Sequence, residues 1–370
     1  MRKGSISYYD LVLVGGGHAH LAVLESLAKK AIAGLRCCLI TPSPLSIYSG
    51  MLPGWMAGFF SDGEIQIDVS ALAKAAGITL LLDEAVGLET DRKCLRLRSG
   101  RTIGYGKLSL ATGGETDLSH LASLGDRLLA AKPVDKFFSC WPLMKNNAST
   151  KENFCVVIVG GGAAGCELAL AARAALRGKP TVILVAGEKG ILSGFPLRIR
   201  RLMEASLQAA NVTLAQYEAA GAPDGLLLAD GPALSCDAVI AATGTRPPTW
   251  LSKSGLALSP EGYVIVDAAM RSVSNDDIFA AGDITVRLDR PMERSGVHAV
   301  KSGPVLAHNL RAQFERLTLR VYQPRRQSLY ILSTANEQAV LSWRGFSFGG
   351  KLAWRIKKAI DQSFIDRFRI

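Results

Sequence analysis

The chain carries no CxxC pair. Its seven cysteines, Cys37, Cys38, Cys94, Cys140, Cys155, Cys166 and Cys236, are odd in number and lack metal-ligand spacing, which argues against a disulfide scaffold or a zinc site. No metal is expected. No run of 18 apolar residues occurs, so nothing is expected to span a membrane. The start, MRKGSISYYD, has no apolar h-region before a cleavage site, and a cytoplasmic location is expected. Lys and Arg outnumber Asp and Glu by 43 to 32, a formal charge of +11. No basic run is long enough for a nucleic-acid arm, so nucleic acid is not an expected partner and the charge reads as a solvated surface.

What is present in excess is glycine, 37 of 370 residues against a norm of roughly 7%. That excess points to tight turns and close backbone approaches. The length suggests about two to three domains, and a hydrophobic content of 48% suffices for a large core.

The chain repeats itself. Asp10–Gly17 reads DLVLVGGG and Phe154–Gly162 reads FCVVIVGGG. Each apolar run ends in a glycine cluster, then an Ala- and Leu-rich stretch with helical period follows (Ala19–Ala33, Ala163–Leu176). A second apolar run comes next, Arg36–Thr41 or Thr181–Ala186. The order strand, glycine turn, helix, strand is a βαβ unit, present twice. Both copies close alike, with Lys107–Gly113 (KLSLATG) and Asp237–Gly244 (DAVIAATG). The fold class implied is α/β: two tandem Rossmann-type domains and a small C-terminal α+β segment. The expected boundaries are 1–130 with 255–322 for the first domain, 131–254 for the second and 323–370 for the C-terminal segment. Ala130–Lys151 loses the strand pattern and reads as an interdomain connection. In the C-terminal segment the pattern predicts strands at Leu329–Leu332 and Gln338–Ser342 and a helix over Gly350–Phe368.

The second copy's Gly160-Gly161-Gly162-Ala163-Ala164-Gly165 fits GxGxxG after a strand and before a helix, the context a dinucleotide site requires. Such glycines let backbone N–H groups approach a pyrophosphate, and the helix N-terminus adds a favourable dipole. The first copy reads Gly15-Gly16-Gly17-His18-Ala19-His20, with His20 where the third glycine is expected; a wider helix–strand gap should accommodate it, and His18 and His20 read first as structural. An acid usually ends the second strand to bind ribose. The first copy has Thr41-Pro42-Ser43 there, so hydroxyls or backbone must serve. The second has Glu188 and Lys189, which leaves NADH against NADPH open with a lean to NADH.

These residues, with Ala111-Thr112-Gly113, Glu167, Ala242-Thr243-Gly244 and Asp277–Asp283, resemble the pyridine nucleotide–disulfide oxidoreductase superfamily over residues 8–320. Tyr48–Gly58 (YSGMLPGWMAG) and Trp343–Phe368 resemble the proteins associated with selenide, water dikinase, relatives of type II NADH dehydrogenases and sulfide:quinone reductases. The resemblance implies FAD over Gly15, Gly16, Gly17, His18 and Ala19, with Thr41 and Pro42 at the ribose and the backbone of Val86 at the adenine. It places Ser49, Gly50, Met51 and Pro53 along the flavin, with Ala111, Thr112 and Gly113 beside the cofactor. Asp283, next to Gly282, would accept from the ribityl chain, and the helix near His298 would face the flavin. Lys301 would lie at the flavin edge or stay a surface lysine. Gly160 to Gly165 would hold NADH or NADPH, with Glu167 near the nicotinamide and Thr243 and Gly244 closing the site.

The resemblance has gaps. The cysteine pair of disulfide reductases is missing, and no cysteine follows Cys236 to serve sulfide chemistry. Cys37 and Cys38 read as core, and Cys166 sits at a helix N-terminus that could lower its pKa. Without a redox pair, the implied function is FAD-dependent electron transfer from NAD(P)H to a small-molecule acceptor, a quinone among the candidates. The alternative is a flavin-bearing partner or redox sensor in selenium metabolism. In KLAWRIKKAIDQSFIDRF, Leu352, Ile356, Ile360 and Phe364 form a stripe opposite Lys351, Arg355, Lys358 and Arg369. That helix would either lie on the anionic inner face of a membrane or dock on its own domain or a dimer partner.

Overall fold

The computed structural model describes residues 6–176, 178, 180–290, 296–324 and 329–369. Its two main sheets share one plan. In the first, Thr79–Leu82, Cys37–Thr41, Ser7–Val14, Thr102–Leu110 and Asn275–Ala280 lie side by side in parallel. In the second the order is Thr213–Gln216, Thr181–Ala186, Cys155–Val159, Ala238–Ala241 and Leu128–Ala130, again parallel. The near-continuous apolar runs of the central strands suit sheets covered on both faces. Val12, Leu13, Val156, Val157 and Ile158 are accordingly sealed from solvent. In each unit the helix after the glycine turn (His18–Lys29, Ala163–Ala175) covers one face, and an antiparallel set of strands lies on the other. The strand, turn, helix, strand repeat of the sequence is therefore present twice in space.

The units are joined by a narrow ribbon in which Glu115–Thr116 pairs antiparallel with Thr245–Arg246. Leu128–Ala130 already belongs to the second sheet, so the chain crosses before residue 128 and not at 130–131. The stretch expected as an interdomain connection holds a helix, Val134–Thr150, packed through Phe137, Trp141 and Ala148 at helical spacing. Pro142 in its interior and its polar end hid that period; Pro142 faces solvent.

The C-terminal unit has one strand more than expected. Tyr330–Ser333, Ala339–Trp343 and Phe346–Gly350 form an antiparallel meander, followed by the helix Lys351–Arg367. The expected apolar stripe is not the buried one. Ala353, Trp354, Lys357, Asp361 and Ile365 face inward, while Leu352 and Ile360 are 63% and 45% exposed. The inward face carries a Lys–Asp pair that reads as surface until its partners are in place. Among the described residues, no helix is long and apolar enough to cross a membrane.

Candidate dinucleotide sites and the buried cluster between them

The first cradle forms where the strand Ser7–Val14 ends. A β-carbon on Gly15 or Gly17 would come within 2.5 Å of the Ala111 carbonyl oxygen, so only glycine lets the turn lie against the closing strand. Ala111 is buried there, with Thr112 and Gly113 half-open beside it. Thr41 ends the next strand with its hydroxyl 3.2 Å from where a β-carbon on Gly16 would sit, and Pro42 is exposed. Val86 lies at an irregularity in the pairing of Ala85–Glu89 with Cys94–Leu97, between Ala85 and Gly87. The helix Gly296–Glu315 starts near both Ser49 and the Gly282-Asp283 turn: a β-carbon on Gly296 would be 3.7 Å from Ser49 Oγ, and one on Gly282 3.5 Å from Ala299.

His20 takes the third glycine's place without leaving a gap. Its Nδ1 pairs with the Gly15 carbonyl at 2.7 Å and its Nε2 with Ser109 Oγ at 2.8 Å. Burial holds its pKa down at about 4, so the ring stays neutral. His18 is different. Burial also pulls it to about 4, yet its Nε2 is sealed without a hydrogen-bond partner, and so is Oδ1 of Asp283. Two of the four such atoms among the described residues therefore belong to one cradle. Buried polar atoms of native proteins are ordinarily satisfied. These two fit a ligand rich in hydroxyls and acceptors, as FAD is.

Asp283 is also met by a cation that the sequence did not single out. Lys132 Nζ lies 2.5 Å from its Oδ2. Lys301, expected either at the flavin edge or as a surface lysine, is exposed on its helix. His298 is half-buried with Nδ1 2.9 Å from Tyr322 Oη. Met51 and Pro53 are packed into the core, leaving Ser49 and Gly50 as the accessible part of their loop.

The second cradle is more open. A β-carbon on Gly160 would collide with the Ala242 carbonyl, and one on Gly165 with that of Gly160. Gly162 has nothing within 4 Å of that position, and both it and Ala164 are exposed at the start of the helix. Gly161 accepts from Leu192 N at 2.7 Å, and Ala163 is half-buried. Thr243 Oγ1 donates to the Asp117 carbonyl at 2.8 Å, and Gly244 is open. At the end expected to meet the ribose, Glu188 and Lys189 are exposed, and Glu218, just past the strand Thr213–Gln216, lies with its carboxylate against Gly187. Glu218 lies outside the local motif, and only sheet order brings it here. Cys166 does not have the lowered pKa its helix position suggested: burial pushes the thiol up to about 12. Cys38 is likewise pushed up to about 12, and Cys37 is also raised by burial.

Between the cradles lies a cluster of ionisable groups from distant parts of the chain. Lys357 Nζ donates to the Gly50 carbonyl at 2.7 Å and to Asp361 Oδ2 at 2.8 Å. Tyr48 Oη donates to Asp361 Oδ1 at 3.1 Å, and its ring stacks on Phe364 at 4.5 Å. His18 meets both rings edge-on. Glu167 accepts from Ser333 N at 2.7 Å, so the C-terminal meander reaches the residue expected at the nicotinamide. Desolvation raises the Glu167 carboxyl to about 7, against the pull of Lys357. Burial raises Asp361 and Tyr48 as well. Among the described residues, no group of three His, Cys, Asp or Glu side chains could hold a metal ion.

Comparison with known proteins agrees with this geometry. Residues 9–313 match the family model of the pyridine nucleotide-disulphide oxidoreductases. The chain belongs to that family. Its cofactors are FAD and a nicotinamide dinucleotide. The chain is 24% identical over 330 residues to a monodehydroascorbate reductase of Arabidopsis thaliana, covering 79% of this chain and 65% of the relative. It is 26% identical over 240 residues to the ferredoxin–NAD(+) reductase component of the biphenyl dioxygenase system of Paraburkholderia xenovorans, covering 63% and 56%. The chain thus spans less than two thirds of the length of either. A solved sulfide:quinone oxidoreductase of Aquifex aeolicus superposes with a TM-score of 0.78 at 18% identity, covering 98% of this chain and 91% of that one.

Proposed function

We propose that the protein is an FAD-dependent oxidoreductase that draws electrons from NADH or NADPH in the second cradle and passes them to a small-molecule acceptor without a redox cysteine pair. The observation that carries this reading is the first cradle's pair of sealed, partnerless atoms, His18 Nε2 and Asp283 Oδ1, beneath a glycine turn. When bound there, FAD supplies the two-electron chemistry, and the protein's task is to bind, orient and shield. Gly15 to Gly17 present backbone to the pyrophosphate, and Asp283 accepts from the ribityl hydroxyls. Gly160 to Gly165 do the same for the nicotinamide dinucleotide at an open helix N-terminus.

Glu167 holds a proton on its carboxyl up to about pH 7. Lys357 and Asp361 both act on that carboxyl, and Lys357, paired with Asp361, also holds the Gly50 carbonyl. Glu218 and Glu188 surround the ribose end with negative charge, which favours NADH over the more anionic NADPH. A second feature supports peripheral contact with an anionic membrane. Phe346 and Leu352 are 76% and 63% exposed near Lys351, Arg355 and Lys358.

The test is anaerobic titration of purified protein. It should be yellow, or become so with FAD, and NADH should bleach it at lower concentration than NADPH. A colourless protein that cannot be reconstituted would end this reading. The double variant Glu188→Gln, Glu218→Gln should narrow the NADH:NADPH ratio of kcat/KM about thirtyfold, since each of the two lost repulsions is on the order of 1 kcal/mol; an unchanged ratio would remove these acids from cofactor choice.

A further inference from the structure

Lys132 stands at a junction that neither cradle explains. It follows directly on Leu128–Ala130, the edge strand of the second sheet, and Ala131 N still donates to the Ala241 carbonyl of that sheet. Its backbone is clamped to the ribbon between the units: Lys132 N donates to Thr116 Oγ1 at 2.9 Å, and Thr116 N to the Lys132 carbonyl at 3.2 Å. Thr116 itself is buried. From this anchored backbone the side chain reaches into the first unit and sets its ammonium 2.5 Å from Asp283 Oδ2, with both groups mostly shielded from water. The carboxylate's other oxygen stays buried without a partner, and the charges of Lys132 and Asp283 both act on the His18 ring.

One ammonium thus holds one oxygen of the acid and leaves the other without a partner. A lysine carried by the nicotinamide-binding unit thereby places a positive charge inside the flavin-binding one. Reduced flavin carries an extra negative charge at neutral pH, and a cation in a shielded cavity favours the more negative of two ligand forms. We propose that Lys132 is a positioning residue that fixes Asp283 and raises the affinity of the first cradle for reduced over oxidised FAD. The inference rests on the reading of that cradle as the FAD site. It adds that the partner unit supplies the charge which sets the flavin's redox balance.

The test compares wild type with Lys132→Met, Lys132→Arg and Asp283→Asn. FAD binding is read by fluorescence quenching, and the midpoint potential by equilibration with reference dyes. Urea unfolding and NADH binding serve as controls. In Lys132→Met, reduced FAD should lose about tenfold more affinity than oxidised FAD, which lowers a two-electron midpoint by about 30 mV. Lys132→Arg should restore the wild-type value. Asp283→Asn, which leaves the cation without its counter-charge, should shift the midpoint upward, and this arm stands even if Lys132→Met does not fold. A Lys132→Met protein that loses stability or oxidised-FAD affinity while keeping the wild-type midpoint would overturn the proposal and leave Lys132 a mere tether. An unchanged midpoint in Asp283→Asn would do the same. A wild-type protein that takes up no FAD would instead sink the underlying site reading, and the proposal with it.

Discussion

His20 shows how one side chain can replace a glycine and change what the protein tolerates. Its two ring nitrogens serve the Gly15 carbonyl and Ser109, so the space that a glycine would leave for close packing is filled by a hydrogen-bonded ring. The neutral ring is required. Its pKa is near 4 in the fold against 6.5 in the unfolded chain, so the unfolded state binds more protons between those values. Stability present above pH 6.5 is therefore lost as pH falls towards 4, by on the order of 3 kcal/mol from this residue. His20→Gln should cost about 2 kcal/mol at pH 7. Urea unfolding across that window should show the gap to wild type narrowing in acid; a constant gap would mean that the ring does not titrate as described.

Glu167 has the opposite sign. Its carboxyl is neutral below about pH 7 and charged above it. If the neutral acid is the working form, turnover with a proton-requiring acceptor falls as pH rises through 7. Glu167→Gln should abolish that limb and lower kcat about a hundredfold. A variant that keeps the wild-type pH profile would exclude Glu167 as the titrating group.

At the scale of the element, the C-terminal helix is fastened by charge as much as by grease. Lys357 and Asp361 are both buried on its inner face, satisfied by each other, by Tyr48 and by the Gly50 carbonyl. Breaking such a pair from one side leaves a buried charge alone, at about 3–5 kcal/mol, whereas replacing both partners with apolar groups is often near neutral. Lys357→Met should therefore destabilise strongly, and Lys357→Met with Asp361→Leu much less. Chemical denaturation of the two variants checks this, and equal losses would show that the pair is not coupled. The same helix shows where pattern reading stops. Its helical period was plain in the sequence, but the stripe expected at Leu352 and Ile360 faces outward, and the charged residues of the buried face could be read as such only once Tyr48 and Gly50 were known to lie there.

For the molecule as a whole, the legible parts are those whose chemistry is local. The glycine turns, their flanking strands and the Ala-Thr-Gly closures are contiguous in sequence, and both cradles follow from them. Lys132, Glu218 and Lys357 act on residues far away in the chain, and nothing in their own neighbourhood marks them. The meander's third strand, Phe346–Gly350, escaped because it ends in two glycines. Cofactor binding should also act on the whole. FAD at a hundred times its Kd should add about 2.7 kcal/mol to the unfolding free energy. Release of flavin should coincide with loss of packing around Trp354, because the C-terminal helix touches the first cradle through Tyr48 and Phe364. Two separated transitions would show that they unfold independently.

That contact has a bearing on how the protein is made. The turn at Gly15–Gly17 leaves the ribosome long before the lysine that grips the Gly50 carbonyl and the ring that stacks on Tyr48. A half-synthesised chain can pair its first strands, but the loop at Ser49–Gly50 has no clasp. Loading of the coenzyme should therefore wait for the helix Lys351–Arg367, and nascent chains stalled before it should leave flavin in solution.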